Sequence, residues 1–392
     1  MADLAGRLNI ELNRRDGGVE ASIRSSRPLA ASLVFVGKTV EETVSGLPAL
    51  FSVCAVAQAS ACVSACEAAQ GLVPSPGAIR LRRLLVDAET IKEHLWRILL
   101  DWPRFLDRPP AAKAMQTVMA AYSGLRAALG SGSDPFRPGS DAVAPDLSAA
   151  TQSLAELARV SAEHVLGADP ADWLQQVQTM EHLHRWASDT GSSSANLVRE
   201  VQDSGWAGVG RNPVTALPRL SVLDLAPVLG GTDAEGFVAA PTWQGAPRES
   251  SPFTRRLGLP LIADLTRKLG NGLLPRLAAQ LVELAVLQLR LRTGLTRLDE
   301  AAEPIAGDMP GGVGIAQVQA ARGLLVHRVA VDRGRICDYR ILAPTEWNFH
   351  PQGVVARGLS ALPPTDAATL KRLARLFVTA VDPCVAYHVT VY

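Results

Sequence analysis

Apolar and polar residues alternate over Gly6–Leu12 and again over Val19–Arg24, with Arg15-Asp16-Gly17-Gly18 between them. The chain is therefore expected to open on a β-hairpin. A short strand near Ser32–Val36 and a helix over Thr39–Ser45 are expected next, and Leu50–Cys54 leads into a helix of small residues that runs through Ala69. Between 77 and 127 the positions Leu81, Leu84, Leu85, Ile91, Leu95 and Ile98 fall at helical spacing. Pro103 and Pro109-Pro110 divide that stretch into two helices. Gly130–Pro145 is rich in Gly, Ser and Pro and reads as a loop. Helices follow over 147–166 and 170–188, then polar loops at Gly191–Asn196 and Gly205–Asn212 and a loop-rich segment at 225–258. Arg276–Thr293 is the most helical run, without internal Gly or Pro and bracketed by Pro275 and Gly294. Gly323–Val331 and Arg335–Leu342 flank the turn Asp332-Arg333-Gly334 and predict a second hairpin. A helix over 367–380 then delivers the chain to Asp382-Pro383-Cys384 and a short alternating tail. The pattern predicts an α+β fold: a mainly helical bundle with small β-hairpins contributed by both chain ends.

Composition narrows the function only by exclusion. The 392 residues are 47% hydrophobic and 20% charged, ordinary for a globular chain with a sizeable core. A net charge of +1 gives no reason to expect nucleic acid or an anionic membrane as a partner. Met1-Ala2-Asp3-Leu4 lacks a signal pattern, and Arg14-Arg15 is followed by Asp-Gly-Gly rather than an apolar run. No uninterrupted apolar stretch reaches about 18 residues, so no membrane span is expected. The five cysteines (54, 62, 66, 337 and 384) are an odd number in a long chain. Reduced thiols and a cytoplasmic location are the expectation.

The candidate chemistry lies at the two ends. Cys54-Ala55-Val56-Ala57-Gln58 stands near the start and Asp382-Pro383-Cys384-Val385-Ala386-Tyr387-His388 near the finish. Between them, in order, come Pro241–Arg255 with Gly245, Pro247 and Arg255, then Arg322-Gly323-Leu324-Leu325-Val326-His327, then Ala343-Pro344-Thr345-Glu346-Trp347-Asn348. Together with the N-terminal hairpin, this series resembles the large subunit of nickel–iron hydrogenases. There, a Cys-x-x-Cys pair near the N-terminus and an Asp-Pro-Cys-x-x-Cys pair at the C-terminus hold the metals. Residues 130–230 carry little of the likeness.

The resemblance implies the fold of that subunit over residues 1–392 as one domain, with 130–145 as a flexible loop inside it and the ends meeting so that Cys54 and Cys384 face each other. It also implies a site once built for iron carrying two cyanides and one carbon monoxide, bridged to nickel by thiolates, which are soft ligands suited to both metals. By position, Cys54 matches a bridging ligand and Cys384 a nickel-only ligand. Arg322 matches the arginine over the iron, whose guanidinium donates to a cyanide nitrogen. Thr345 matches the hydroxyl that donates to the other cyanide, and Asp382 the acid that pairs in the arginine's region.

The departures point one way. Phe51 and Tyr387 stand where the remaining two cysteines would be, Ala5 replaces a proton-relay glutamate, Ala49 an arginine, and Gln58 a histidine. With the sequence ending at Tyr392, an extension of the kind trimmed after nickel insertion is not expected. Loss of a positioned acid or base removes its contribution to proton transfer. The pattern is similar to the accessory proteins of the HoxV/HupK type, hydrogenase expression/formation scaffolds derived from the large subunit. The resemblance implies no catalysis but a cytoplasmic scaffold or metallochaperone. It would take Fe(CN)2CO as transient cargo, without nickel, from the assembly proteins that build it, and pass it to the large-subunit precursor. A catalytic hydrogenase-like oxidoreductase with a reduced metal site, or a structural subunit like that of respiratory complex I, are the alternatives. A partner strand laid beside the C-terminal tail is a further expected contact.

Plainer readings apply to other residues. Cys62 and Cys66 share a helix face and read as core packing rather than a metal pair, and Cys337 reads as a core residue of its strand. His327 and His388 read as structural histidines. Arg322 has an alternative as an ion-pair partner of Asp382, and Thr345 as a hydroxyl satisfying backbone. Glu93-His94 falls near a histidine-rich helix of the family, and Glu249 is expected to bond backbone in its own loop.

Overall fold

The computed structural model describes residues 6–15, 17–132, 134–141, 145–298, 300 and 305–392. Asp16 of the expected turn, Ala5, and Ser133 and 142–144 of the expected loop lie outside them. Both hairpins form. Arg7–Arg15 pairs antiparallel with Gly18–Ser25, and Gly323–Asp332 with Arg335–Leu342. The second belongs to a four-stranded antiparallel meander whose first strands are Ala306–Met309 and Val313–Ala320. Those two strands carry Gly307, Gly314, Ala316 and Ala320, side chains too small to give a strand signal.

The expected small-residue helix is Ala55–Gln70, and its composition now has a reason. It lies on the meander so closely that a Cβ on Gly314 would stand 2.0 Å from the Ala65 carbonyl oxygen. Only Gly facing Ala permits that approach. By length and composition Ser52–Gln70 would also qualify to cross a membrane, but 67% of its window is buried inside the fold. Cys62 and Cys66 are fully buried there, as core packing requires.

Several elements depart from expectation for identifiable reasons. Ala31–Phe35 forms a 3-10 turn rather than a strand, with Ser32 Oγ donating to the Tyr339 carbonyl at 2.8 Å. The helix Val40–Leu50 starts where a Thr39/Glu42 capping box holds it and runs past the expected end. Gly191–Asn196 is not loop: Ser192 caps the helix Ser193–Asp203. The stretch 170–188 is two helices, Pro170–Gln176 and Met180–Asp189, the second capped by Thr179. Helix Leu273–Leu295 runs past both expected brackets, Pro275 and Gly294, is buried on nearly every side, and takes Arg276, Gln280, Glu283 and Gln288 into the interior with it. Cys337 is exposed, because alternation turns its neighbour Ile336 inward instead.

One feature brings the ends together and another ties segments between them. The C-terminal strand Ala386–Val391 pairs in parallel with Arg7–Arg15, giving a three-stranded sheet with the first hairpin. Then the buried side chain of Asn348, 1% exposed, ties three separate segments. Its Oδ1 accepts from Ser250 N at 2.9 Å, and its Nδ2 donates to the carbonyls of Ser250 at 2.7 Å and Arg322 at 3.2 Å. Gly323 packs into the same knot at φ 140°, where a Cβ would meet the Ser250 carbonyl oxygen at 2.0 Å. Removing three buried hydrogen bonds and leaving their partners unpaired costs about 3 kcal/mol or more. Asn348→Leu is therefore expected to lower unfolding stability by at least that amount in urea titration; a change under about 1 kcal/mol would refute the knot as a stabilising element.

Candidate metal centre

Cys54 ends the short turn Ser52–Cys54 and is the N-cap of helix Ala55–Gln70. That helix end is held by Glu89 of the helix Pro76–Trp96, whose two carboxylate oxygens accept the N–H groups of Val56 and Ala57 at 2.9 and 3.0 Å. Burial outweighs those bonds and pushes the Glu89 carboxyl up to about 7. Burial also pushes the Cys54 thiol up to about 12, with Cys384 and Glu89 adding to it and Arg322 and Gln58 opposing.

Cys384 arrives from the opposite end. The helix Ala367–Val381 stops at Asp382, which turns the chain in a left-handed conformation (φ 65°) that non-glycine residues seldom adopt. Arg97 holds the turn: its Nε donates to Asp382 Oδ1 at 2.5 Å and its Nη2 to the Pro383 carbonyl at 3.0 Å. Two residues on, Cys384 Sγ lies 3.0 Å from Thr345 Oγ1.

Both cysteines line one cavity of about 110 Å³, together with Phe51, Gln58, Arg27, Arg322 and Glu346. A cavity of ~150 Å³ in another protein accepts benzene, so the space suits a small cluster of heavy atoms rather than an extended organic molecule. Of the five residues singled out by sequence, Cys54, Cys384 and Arg322 line the cavity, and Thr345 and Asp382 contact Cys384 and Arg322 respectively. Arg322 is buried; its Nη2 donates to Glu93 at 2.8 Å and its Nε pairs with Asp382 Oδ2 at 3.3 Å. Its Nη1 has no hydrogen-bond partner among the described residues, an orphaned donor on a group that lines the cavity. Burial favours the neutral form of Arg322, but Asp382, Glu93 and Cys384 raise its pKa above the ordinary value, so it stays cationic. Asp382 is thus a partner of two arginines, Arg97 and Arg322, and Thr345 faces a sulfur.

Arg27 was not singled out by sequence, being one arginine after a hairpin with no motif around it. Its Nη1 donates to Glu346 at 2.6 Å. Burial opposes its charge, while Glu346, Cys384 and Cys54 favour it and raise its pKa. Glu346 was visible within the Pro-Thr-Glu-Trp-Asn segment, but only Arg27 explains it.

A hydrogen-bonded chain runs inward from Cys54. Gln58 Nε2 lies 3.7 Å from Cys54 Sγ as donor, so its Oε1 accepts from His327 Nε2 at 2.9 Å. His327 Nδ1 is then the acceptor for the Tyr339 hydroxyl at 2.9 Å. His327 is structural, as expected, and its tautomer follows from the amide. His94 is also buried, with Nε2 3.0 Å from Glu283, and Glu283 is paired with Arg255 and Arg256. Glu249 does not bond its own loop's backbone: it pairs with buried Arg276 and accepts from Ser251 Oγ at 2.6 Å, because burial demands a cationic partner. Tyr387 does not line the cysteine cavity; its hydroxyl meets Thr379 Oγ1 at 3.0 Å and the Arg375 carbonyl at 3.3 Å. His388 is exposed.

As a donor set this is spare. Among the described residues no group of three or more His, Cys, Asp or Glu side chains is placed to hold a metal. Cys54 and Cys384 supply two soft donors, and Glu346 beside them is committed to Arg27. A bare ion needing four protein ligands does not fit, whereas a metal that brings most of its own ligands does.

No family model matches the chain. It is 35% identical over 401 residues to the hydrogenase expression/formation protein HoxV of Cupriavidus necator, an alignment that covers 98% of this chain and 95% of that protein. It is 29% identical over 392 residues to the hydrogenase expression/formation protein HupK of Azotobacter vinelandii, with 99% of each chain covered. The fold is that of nickel–iron hydrogenase large subunits. The reduced Ni-Fe-Se hydrogenase from D. vulgaris Hildenborough superposes with a TM-score of 0.64 at 17% identity, covering 95% of this chain and 94% of that one.

Burial lowers the His327 pKa to about 3, below its usual 6.5. The unfolded chain takes up that proton below pH 6.5 and the folded one does not, so this residue's share of stability is lost as pH falls from 6.5 towards 3. The loss amounts to about 5 kcal/mol at the lower limit. Nitrogen-15 NMR is expected to show His327 neutral and protonated on Nε2 down to pH 5. An imidazolium signal at pH 5 in the folded protein would overturn the assignment.

Proposed function

Because this chain belongs to the family of hydrogenase expression/formation proteins that includes HoxV and HupK, we propose that it serves hydrogenase maturation as the carrier of the Fe(CN)2CO unit. The observation that carries this reading is that Cys54 and Cys384, 330 positions apart, line one small cavity with Arg322 and Arg27. Two thiolates on ferrous iron with two cyanides and one carbon monoxide make a dianion. The guanidiniums of buried Arg322 and half-buried Arg27, each also paired with carboxylates, favour an anion in the cavity, and the unpartnered Nη1 of Arg322 is a donor suited to a cyanide nitrogen.

Loading displaces the proton that burial keeps on Cys54 at neutral pH, so uptake of the unit releases protons. Thr345 Oγ1 donates to the Cys384 thiolate and Gln58 Nε2 to that of Cys54, so each sulfur keeps one protein donor. Phe51 closes one wall with an apolar ring where a further thiolate would be needed for nickel. The unit therefore sits as cargo rather than as half of a catalytic pair, and the protein performs no turnover. It receives the unit from the proteins that assemble it and yields it to a large-subunit precursor of the same fold but with more thiolates.

Infrared spectroscopy tests this directly, since cyanide and carbon monoxide stretches fall where proteins scarcely absorb. Protein purified from cells assembling hydrogenase is expected to show both, with the bands lost in Cys54→Ala and in Cys384→Ala. Arg27→Met combined with Glu346→Gln, which leaves no buried carboxylate unpaired, is expected to retain at most about a tenth of the bound unit, the loss of one charge-assisted contact of about 1.4 kcal/mol or more. A silent window in the folded wild-type protein would sink the carrier reading.

A further inference from the structure

Cys384 and Arg322 also line a second, wider cleft of about 820 Å³ that adjoins the first cavity, whereas Cys54 lines only the first. Lys92, Arg97, Arg104, Lys371 and Arg375 surround it with Arg322, against the two acids Glu93 and Asp101. Both acids are already committed: Glu93 to Lys92 and Arg322, Asp101 to Arg97 and Arg104. Lys371 and Arg375, one turn apart and exposed on the helix Ala367–Val381, have no side-chain partner among the described residues. Trp96 and Met119, 43% and 42% exposed, add apolar surface to the same walls.

The remaining wall is a strand edge. Ala386–Val389 border the cleft, and the strand they begin is the last in its sheet, paired on one side only among the described residues. Tyr392 N donates to the Leu12 carbonyl at 2.9 Å and its own carbonyl accepts from Arg14 N at 3.2 Å, so both of its backbone groups face the first strand. Alternation then turns the N–H and C=O groups of Tyr387, Val389 and Val391 away from the first strand; Tyr387 and Val391 are half-buried there, while Val389 between them is only 3% exposed. Such an edge is a template for another strand.

We infer that this cleft is a docking groove for an extended acidic segment of a partner protein, added as a strand beside Ala386–Val391. Main-chain bonds to the outward groups supply the pairing, and the surplus of cations selects acidic side chains. The groove passes Cys384, so a docked segment lies next to the thiol pair. This surface goes beyond the carrier reading and is testable without any cargo.

The test is fluorescence anisotropy of the full chain with labelled eight-residue peptides, one alternating Glu and Val, one alternating Lys and Val. The acidic peptide is expected to bind, and to weaken steeply as salt rises from 50 to 300 mM; the basic one is not. Lys371→Glu combined with Arg375→Glu is expected to weaken the acidic peptide at least tenfold. Val391→Pro removes an outward N–H while leaving the bonds to the first strand intact, and is expected to weaken binding at least fivefold with an unchanged melting curve. Equal binding of the two peptides would overturn the proposal. So would full binding in Val391→Pro together with equal competition by a single-stranded oligonucleotide, which would mark a merely cationic surface. Concentration-dependent dimerisation lost in Val391→Pro, with no peptide bound, would assign the edge to a second copy and overturn it as well.

Discussion

The parallel pairing of Arg7–Arg15 with Ala386–Val391 is the constraint on which the rest depends. A parallel contact between the first and last strands forms only when everything between them has been folded back on itself. It sets Cys384 two residues before a strand whose position is fixed by the N-terminal hairpin. From that hairpin the chain passes Arg27, the 3-10 turn Ala31–Phe35 and the helix Val40–Leu50 before reaching Cys54. The two thiols thus share a cavity because two short routes, one from each end, start from the same sheet.

Around that cavity the fold takes in several paired charges, with Arg322, Asp382, Glu93 and Glu346 buried. Arg322, Asp382, Arg97 and Glu93 form one connected set, and Arg27 with Glu346 another. Each ion carries a desolvation penalty that pairing only roughly repays. Apolar residues of similar volume would serve stability as well or better. The arrangement makes sense where an additional anion has to be received, because guanidiniums already desolvated and oriented need no further rearrangement. The left-handed turn at Asp382 belongs to the same pattern, strain kept at a site and held by Arg97.

The contrast between the two spaces that share Cys384 is also physical. Inside lies a small space with apolar walls and two guanidiniums; outside lies a broad cationic cleft bounded by an unpaired strand edge. Arg322 and Cys384 stand on the boundary. On the carrier reading proposed above, cargo has to be held away from water and yet be reachable by a second protein, and these are opposite demands on solvation. Two adjoining spaces that share one cysteine would divide them.

Residue order alone determined much of this. Alternation placed both hairpins, and the run of small residues through Ala69 and the uninterrupted apolar run Arg276–Thr293 placed two helices that the fold buries. The motif series named Cys54, Cys384, Arg322, Thr345 and Asp382, and the structure gathers all five. What only tertiary structure decided is who meets whom. Arg27 has no local signal, since an arginine after a hairpin looks like any solvated residue until Glu346 is brought opposite it from 319 positions away. Glu89 reads as a polar position on a helix, and only packing aims it at the N–H groups following Cys54. Cys337 and Glu249 were misplaced for the same reason: strand alternation leaves the inward face open until a sheet is packed, and a buried carboxylate's partner comes from across the core. Local sequence specifies backbone periodicity, but charge pairing across a core is long-range and is settled only when the chain ends close.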